Sequence, residues 1–426
     1  MSDIHFQRFV SKLIRRGSIE IEEPGGRRYF LGDGTGTPPL IKFCDDRVKG
    51  TLLRDPELTF GELFMDGRIL VLRGTLYDVL AIVMSNLEQA GSSRWIAVLR
   101  RIRHAVQRWH YNTLRRSRAN VAHHYDLGNA LYALFLDDDW QYSCAYFETM
   151  EEDLNTAQLA KKQHIAAKLL LEPGNRVLEI GCGWGGLALY LAQSCDVHIT
   201  GITLSREQLD LACRRRAAGG LESRLEFRFQ DYRQVAERYD RIVSIAMLEA
   251  VGPNGYEGFF RKVCAMLNDD GVALVHTITS ANADFNVGPW THKYIFPGSH
   301  IPSLSQLMPA IERAGLIVTD VEVLRLHYAR TLMLWRDRFL ANRDRAKALF
   351  DERFCRMWEF YLSVAQCMFE FQNCSVSQIQ MTKRISTLPL TRDYMMEKAN
   401  GTSNQFLGAE VQPLCSSPLP PPAGGG

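Results

Sequence analysis

Beyond about residue 120, runs rich in aliphatic and β-branched residues alternate with stretches of helical spacing. The runs are Val177–Ile180, Val197–Thr203, Leu225–Phe229, Ile242–Ile245 and Val272–His276. This alternation predicts an α/β fold in which a parallel sheet carries helices on both faces. Residues 336–375 keep a helical pattern and are rich in aromatics, among them Phe354, Trp358, Tyr361 and Phe369. They read as an added helical cap whose rings are core. Residues 1–90 differ: Ile19-Glu20-Ile21 and Tyr29-Phe30-Leu31 are strand-like, and Pro24-Gly25-Gly26 and Gly32–Gly36 are turn signals. A small N-terminal α+β domain is predicted there.

Between Gly91 and Ala119 there is no Asp or Glu but eight arginines, interleaved with Trp95, Val98, Leu99, Ile102, Val106 and Trp109 at helical spacing. The segment reads as a basic amphipathic linker helix. Two placements fit it: at the headgroup level of an anionic leaflet, or packed on the large domain with its arginines paired to acidic groups. The charge balance sharpens the choice. Net charge is only +2, but residues 1–120 hold 20 Lys and Arg against 13 Asp and Glu, and the remainder 30 against 35. The basic part calls for an anionic partner. The chain thus divides into a domain over 1–90, the linker over 91–119, a large domain over 120–398 and a Pro/Gly tail over 399–426, read as disordered.

With 426 residues, 46% hydrophobic and 23% charged, the chain is excluded from the wholly disordered, collagen-like and coiled-coil classes. Its ten cysteines form no C-x-x-C pair, so neither a zinc ribbon nor a dithiol redox site is expected, and reduced thiols in a cytoplasm are. No run approaches a membrane span and the first residues lack a signal-peptide pattern, so a protein neither spanning nor exported is expected.

Candidate chemistry centres on Glu179-Ile180-Gly181-Cys182-Gly183-Trp184-Gly185-Gly186, a glycine loop between a predicted strand and helix. Glycines there let the backbone approach a nucleotide at the carboxyl edge of the sheet. A nicotinamide site would need an acid about 20 residues on, where the second strand instead ends Thr203-Leu204-Ser205. The acids stand at Glu179 and at Asp231, after the third strand. Both are features of S-adenosylmethionine (SAM) methyltransferases, with Asp231 toward the adenine and the loop toward the methionine part. A tight turn closing an unliganded doubly wound sheet is the other reading of the loop alone.

From about residue 15 to 395 the sequence resembles the cyclopropane-fatty-acyl-phospholipid synthases. The most specific block is His124-Tyr125-Asp126-Leu127-Gly128-Asn129 with Tyr142-Ser143-Cys144-Ala145-Tyr146-Phe147, preceding the glycine loop. Further matches are Gly201–Ser205 with Gln208, Met247–Gly252, Leu274–Ile278 and Tyr328–Leu332. Leu63, Met65, Asp66 and Gly67 resemble the N-terminal, lipid-associated domain of the phospholipid-acting branch.

The resemblance implies a Rossmann-like class I SAM methyltransferase sheet. It implies transfer of the SAM methyl to a cis double bond of a phospholipid acyl chain, after which bound bicarbonate deprotonates the carbocation and a cyclopropane closes. Bicarbonate would be held through the backbones of Cys144 and Ile278 and the side chains of Glu249, His276 and Tyr328. SAM contacts would be Tyr142, Ser143, Gly181, Gly183, Thr203, Leu204, Gln208, Asp231 and Tyr232. A homodimer is implied by the same resemblance; with the arginine-rich segment and the reduced cysteines, an enzyme in the cytoplasm, bound peripherally to the anionic surface of the inner membrane, is expected, with neither metal nor nucleic acid. The chemistry suits those residue types, since a carbocation reacts at once with water and its base must stand ready in a dry site.

Taken singly, His276 at a strand end reads as structural and Cys144 as a small buried hydrophobe. One departure stands out: Ala250 occupies the position after Glu249 where the family usually has His, and Leu248 stands where Phe is common. A methyl-branched or methylene product is therefore a rival outcome. A non-catalytic lipid-binding protein and a small-amine methyltransferase are rivals of other kinds.

Overall fold

The computed structural model describes residues 6, 7, 10, 11, 13–87, 128–283, 285 and 287–396. The basic segment 91–119, His124–Leu127, the tail, and the expected boundaries near 90, 120 and 398 lie outside these residues.

Near the N-terminus, strands β1 (Ser18–Glu22), β2 (Arg28–Gly32), β3 (Leu40–Phe43) and β4 (Ile69–Arg73) form a sheet in the order β2-β1-β3-β4. The turn joining β1 to β2 is set by Gly26, whose φ of 80° lets its N–H reach Glu23 O at 2.8 Å. Ile19, Ile21, Leu31, Ile41 and Phe43 face Val48, Leu52, Leu63 and Val79 from the helices Arg47–Arg54, Pro56–Met65 and Leu76–Leu87. Strand β1 is buried along its length, and Glu20 and Glu22 are tolerated in it because Arg73 (2.7 Å), Arg28 (2.7 Å) and Lys42 (3.1 Å) meet their carboxylates.

The larger sheet has seven strands: β5 (Arg176–Ile180), β6 (His198–Thr203), β7 (Leu225–Phe229), β8 (Tyr239–Ile245), β9 (Leu267–Ser280), β10 (Ile317–Val323) and β11 (Cys374–Thr382). Their order is β10-β11-β9-β8-β5-β6-β7. The five predicted strands pair in parallel, as expected. Successive residues feed opposite layers. Leu178, Ile180, Ile242 and Val275 pack on the helices Tyr256–Met266 and Leu304–Arg313, whereas Val177, Ile199, Val243 and Leu274 pack under Gly186–Ser194.

Three expectations need correction. The sheet is mixed, because β11 and β10 add an antiparallel edge beside β9. The helical reading of 336–375 covers three helices, His327–Ala341, Arg343–Leu349 and Glu352–Phe371, and its end is already strand β11. Asn373, with φ of 54°, turns the chain out of the last helix. Strand β11 escapes a periodicity search because it is interior yet polar: Ser377, Gln378, Gln380 and Thr382 are all buried. Their partners are internal, such as Ser377 Oγ with Thr279 Oγ1 at 2.7 Å and Gln380 Nε2 donating to Lys168 O at 2.6 Å. Finally, His276 does not close its strand, since pairing with β11 carries β9 four residues further, to Ser280.

A fourth core cluster joins the two units. Phe64, Met65, Leu76 and Leu80 pack in one cluster with Trp335, Trp358, Phe360 and Phe369 of the cap helices. Gly61 is required at this contact, because a Cβ there would stand 2.5 Å from the Trp290 ring. Trp290 itself donates through Nε1 to Met65 Sδ at 3.3 Å.

Candidate active site

Four parallel strands end together, and the residues after them, Gly181 after β5, Leu204 after β6, Gln230 after β7 and Ala246 after β8, line one cavity of about 410 Å³. A cavity at the carboxyl edge of such a sheet is where ligands bind in doubly wound folds. The loop leaving β5 takes positive φ at Gly181 (81°) and Gly183 (53°). Among the described residues, its chain neighbours aside, no heavy atom lies within 4 Å of a Cβ built on Gly183, so the loop shows bare backbone to the cavity.

All nine residues assigned from sequence to SAM line this cavity. Gly181, Gly183, Tyr142 and Ser143 do so beside the β5 loop, and Thr203, Leu204, Gln208, Asp231 and Tyr232 beyond it. Ser205 caps the helix after β6 by accepting from Gln208 N–H at 3.3 Å, which fixes Gln208 beside Thr203. Asp231 is buried and accepts two hydrogen bonds from the Arg233 guanidinium, at 2.8 and 2.7 Å, and one from its backbone N–H at 2.9 Å. Arg233 in turn lies over the Tyr232 ring, 5.4 Å from its centre.

Among the lining residues that the sequence reading did not assign are Glu179, Trp140 and Arg233. Glu179, named as an acid but not as a contact, is buried in the wall, its Oε2 has no hydrogen bond among the described residues, and burial pushes its pKa up to about 8. Trp140 and Arg233 also line the wall. For Arg233 the signal was its place two residues after Asp231, and for Trp140 there was none. An uncompensated buried carboxyl oxygen, exposed glycine backbone and an acid at the far end fit a cationic, nucleoside-bearing ligand such as SAM.

The five residues assigned to the proton acceptor lie outside that cavity's lining. Glu249 sits on the short turn Leu248–Ala250 after β8 and accepts through Oε1 from the Ile278 N–H at 2.6 Å. This amide is free for the purpose because β8 has ended: its last residue, Ile245, pairs with His276, so two residues further β9 has no strand on that side. Glu249 Oε2 is buried and, among the described residues, has no hydrogen-bond partner, and burial holds the carboxyl above its ordinary pKa.

His276 stands two residues before Ile278 on the same face of β9 and is 1% exposed. Its Nδ1 lies 3.2 Å from Gln378 Nε2 on β11. Burial, reinforced by the charges of Lys161 and Lys168, keeps the imidazole neutral by drawing its pKa well below 6.5. Cys144 and Tyr328 are buried in the aromatic core, with Ile278 packed against the same cluster. Tyr328 meets the Trp335 ring edge-on at 5.8 Å. The Cys144 thiol donates to Ala145 O at 3.3 Å and burial raises its pKa, so it is a neutral thiol and not a nucleophile. Ala250, the residue after Glu249, borders the cofactor cavity. Among the described residues no helix is long and apolar enough to cross a membrane.

The sequence profile of the mycolic acid cyclopropane synthetase family matches residues 112–379. The chain is 35% identical to the cyclopropane-fatty-acyl-phospholipid synthase of Escherichia coli over 392 residues, covering 90% of this chain and 95% of that one. It is 34% identical over 383 residues to the tuberculostearic acid methyltransferase of Mycobacterium tuberculosis, covering 84% and 87% of the two chains. Among solved structures, the mycolic acid cyclopropane synthase CmaA1 complexed with SAH and CTAB superposes with a TM-score of 0.59 at 34% identity, covering 62% of this chain and 97% of that one. A family profile across most of the chain, a relative matched nearly end to end, and a cavity that gathers the expected methyl-donor residues agree: the chain belongs to the mycolic acid cyclopropane synthetase family and is a SAM-dependent methyltransferase.

Proposed function

We propose that this enzyme adds the SAM methyl carbon to a cis double bond in the acyl chain of a membrane phospholipid and closes a cyclopropane with the help of bicarbonate. The observation that carries the reading is the pairing of a cofactor cavity with a buried carboxyl beside it, Glu249, whose Oε2 has no hydrogen-bond partner among the described residues. SAM, when bound, supplies an electrophilic methyl, and bicarbonate supplies a small base that needs no mobile side chain.

The chain's own groups suit that chemistry. Glu249 Oε2 is free to accept the hydroxyl of a small hydrogen-bearing anion, and the Ile278 amide fixes the carboxyl from its other oxygen. Gln378 donating to His276 Nδ1 leaves the second ring nitrogen carrying a proton, a neutral donor for the same anion. Tyr328 would add its hydroxyl and Cys144 its backbone. The surrounding rings, including Tyr132, Phe135, Tyr142 and Trp335, exclude water from a developing carbocation, and their faces attract positive charge. The phospholipid substrate is supported by the near-complete match to the Escherichia coli enzyme. The arginine-rich segment 91–119 supports peripheral binding to an anionic cytoplasmic membrane surface.

A methyl-branched or methylene product is the second reading, favoured by Ala250, the residue after Glu249, at the border of the cofactor cavity and by the likeness to a tuberculostearic acid methyltransferase. Lipid mass spectrometry of cells with and without the protein tests both. A cyclopropane adds one CH2 to a monounsaturated chain and shows ring protons by NMR. A methylene chain has the same mass but vinyl protons, and a methyl-branched chain carries two more hydrogens and requires a reductant. Lipids unchanged by the protein would refute the reading as a whole.

A further inference from the structure

Residues 141–147 cross both sites without forming helix or strand. They carry Tyr142 and Ser143 on the cofactor wall and Cys144 in the buried core. Side chains from neighbouring helices take the place of a sheet partner for this segment. On the helix Leu154–Lys168, Gln158 Nε2 donates to the carbonyls of Gln141 (3.3 Å) and Ser143 (3.0 Å). One turn on, Lys161 Nζ donates to Gln141 Oε1 at 2.7 Å and to Ser143 Oγ at 2.9 Å. The Ala145 N–H reaches Thr331 Oγ1 at 3.1 Å from the other side.

Lys161 is an unusual choice for such a role, because it is fully buried and, among the described residues, no carboxylate pairs with it. A buried ammonium without a paired counter-charge lowers stability, so its presence calls for a use. Around it lie Asp137 and Asp139 from the preceding loop, Cys144, Lys162 on its own helix, Glu179 at the end of β5 and His276 on β9. Its charge lowers the Glu179 pKa and opposes protonation of His276, so it acts on the walls of both sites.

We propose that Lys161 is a positioning residue for methyl transfer: with Gln158 it clamps Gln141–Ser143, setting the Ser143 hydroxyl and the Tyr142 ring against the methyl donor. The inference rests on the SAM-binding reading of the cavity. Each end of the clamp is polar, so an apolar side chain of the same length would keep the packing and lose the function.

Calorimetric titration of SAM into the wild type, Lys161→Met, Ser143→Ala and the double variant tests this. Lys161→Met is expected to raise the dissociation constant at least tenfold while the thermal midpoint of the free protein holds or rises. The double variant should lose little more than Lys161→Met alone, since Lys161 acts through Ser143. In turnover, KM for SAM should rise while KM for the lipid stays constant. A dissociation constant within twofold of wild type, or losses that multiply independently in the double variant, would overturn the proposal. If Lys161→Met does not fold, Lys161→Gln, which keeps a donor without the charge, should still weaken SAM binding at least threefold, and unchanged binding would overturn the proposal equally. A wild type that does not bind SAM would instead refute the cofactor reading.

Discussion

The cofactor cavity and the buried site beside it share one sheet edge but are built in opposite ways. The cavity is open and made from the loops that leave four parallel strands, with glycine backbone and residues placed one or two positions past each strand end. The Glu249–His276 site is buried and needs elements far apart in sequence: the turn after β8, the middle of β9, strand β11 and the cap helices. The first is set by residues at or just past the strand ends. The second requires the antiparallel edge that prolongs β9 and the aromatic helices packed beside it.

Separate damage to each site is the strongest way to break that contrast. Glu249→Gln or His276→Ala should cut turnover about 100-fold or more, the scale of a lost general base, while SAM affinity stays within about threefold. Parallel loss of SAM binding, measured by calorimetry, would merge the two sites into one. Gly183→Val should do the reverse. Its φ of 53° and the open space beside it mean that a branched side chain is both strained and projected into the cavity, so SAM affinity should fall about tenfold or more. Near-normal affinity would show that the ligand lies elsewhere.

Glu179 gives a smaller effect with a definite sign. Its pKa is about 8 in the fold against 4.5 as the ordinary value, so the native state holds a proton that the unfolded chain has already released between those limits. Stability of the ligand-free protein should therefore decline as pH rises from about 5 to 8. Glu179→Gln should flatten that decline in thermal melts, and an unchanged slope would remove Glu179 as its source. Ala250→His is expected to have the smallest effect. It should leave the rate within about threefold, a change of roughly 0.7 kcal/mol, and lower the share of methyl-branched or methylene products. A single cyclopropane product from both proteins would mean that this position does not govern ring closure.

The two sites were unequally legible in the sequence. Gly181 and Asp231 were readable because a parallel strand announces itself by its apolar run, and the residues just past its end must lie at the carboxyl edge; Thr203 was assigned through the motif resemblance. Glu249 was readable only together with the motif resemblance, because nothing local marks a carboxyl whose partner is the Ile278 amide 29 positions away. Gln378 was not readable at all: it lies in a polar segment just past the helical reading of 336–375, and its burial depends on β9 and β10 pairing on either side of β11.

By itself, then, the amino-acid sequence determined the parallel strands, the glycine loop and the residue types that a methyl donor needs, because those depend on local periodicity and on backbone freedom at single positions. Only the tertiary structure decided that β11 is a strand, that His276 stays neutral and inside β9, and that Lys161 lies under Ser143. Those outcomes depend on which polar groups are removed from water together, and burial of a pair is a property of two distant segments that neither segment records.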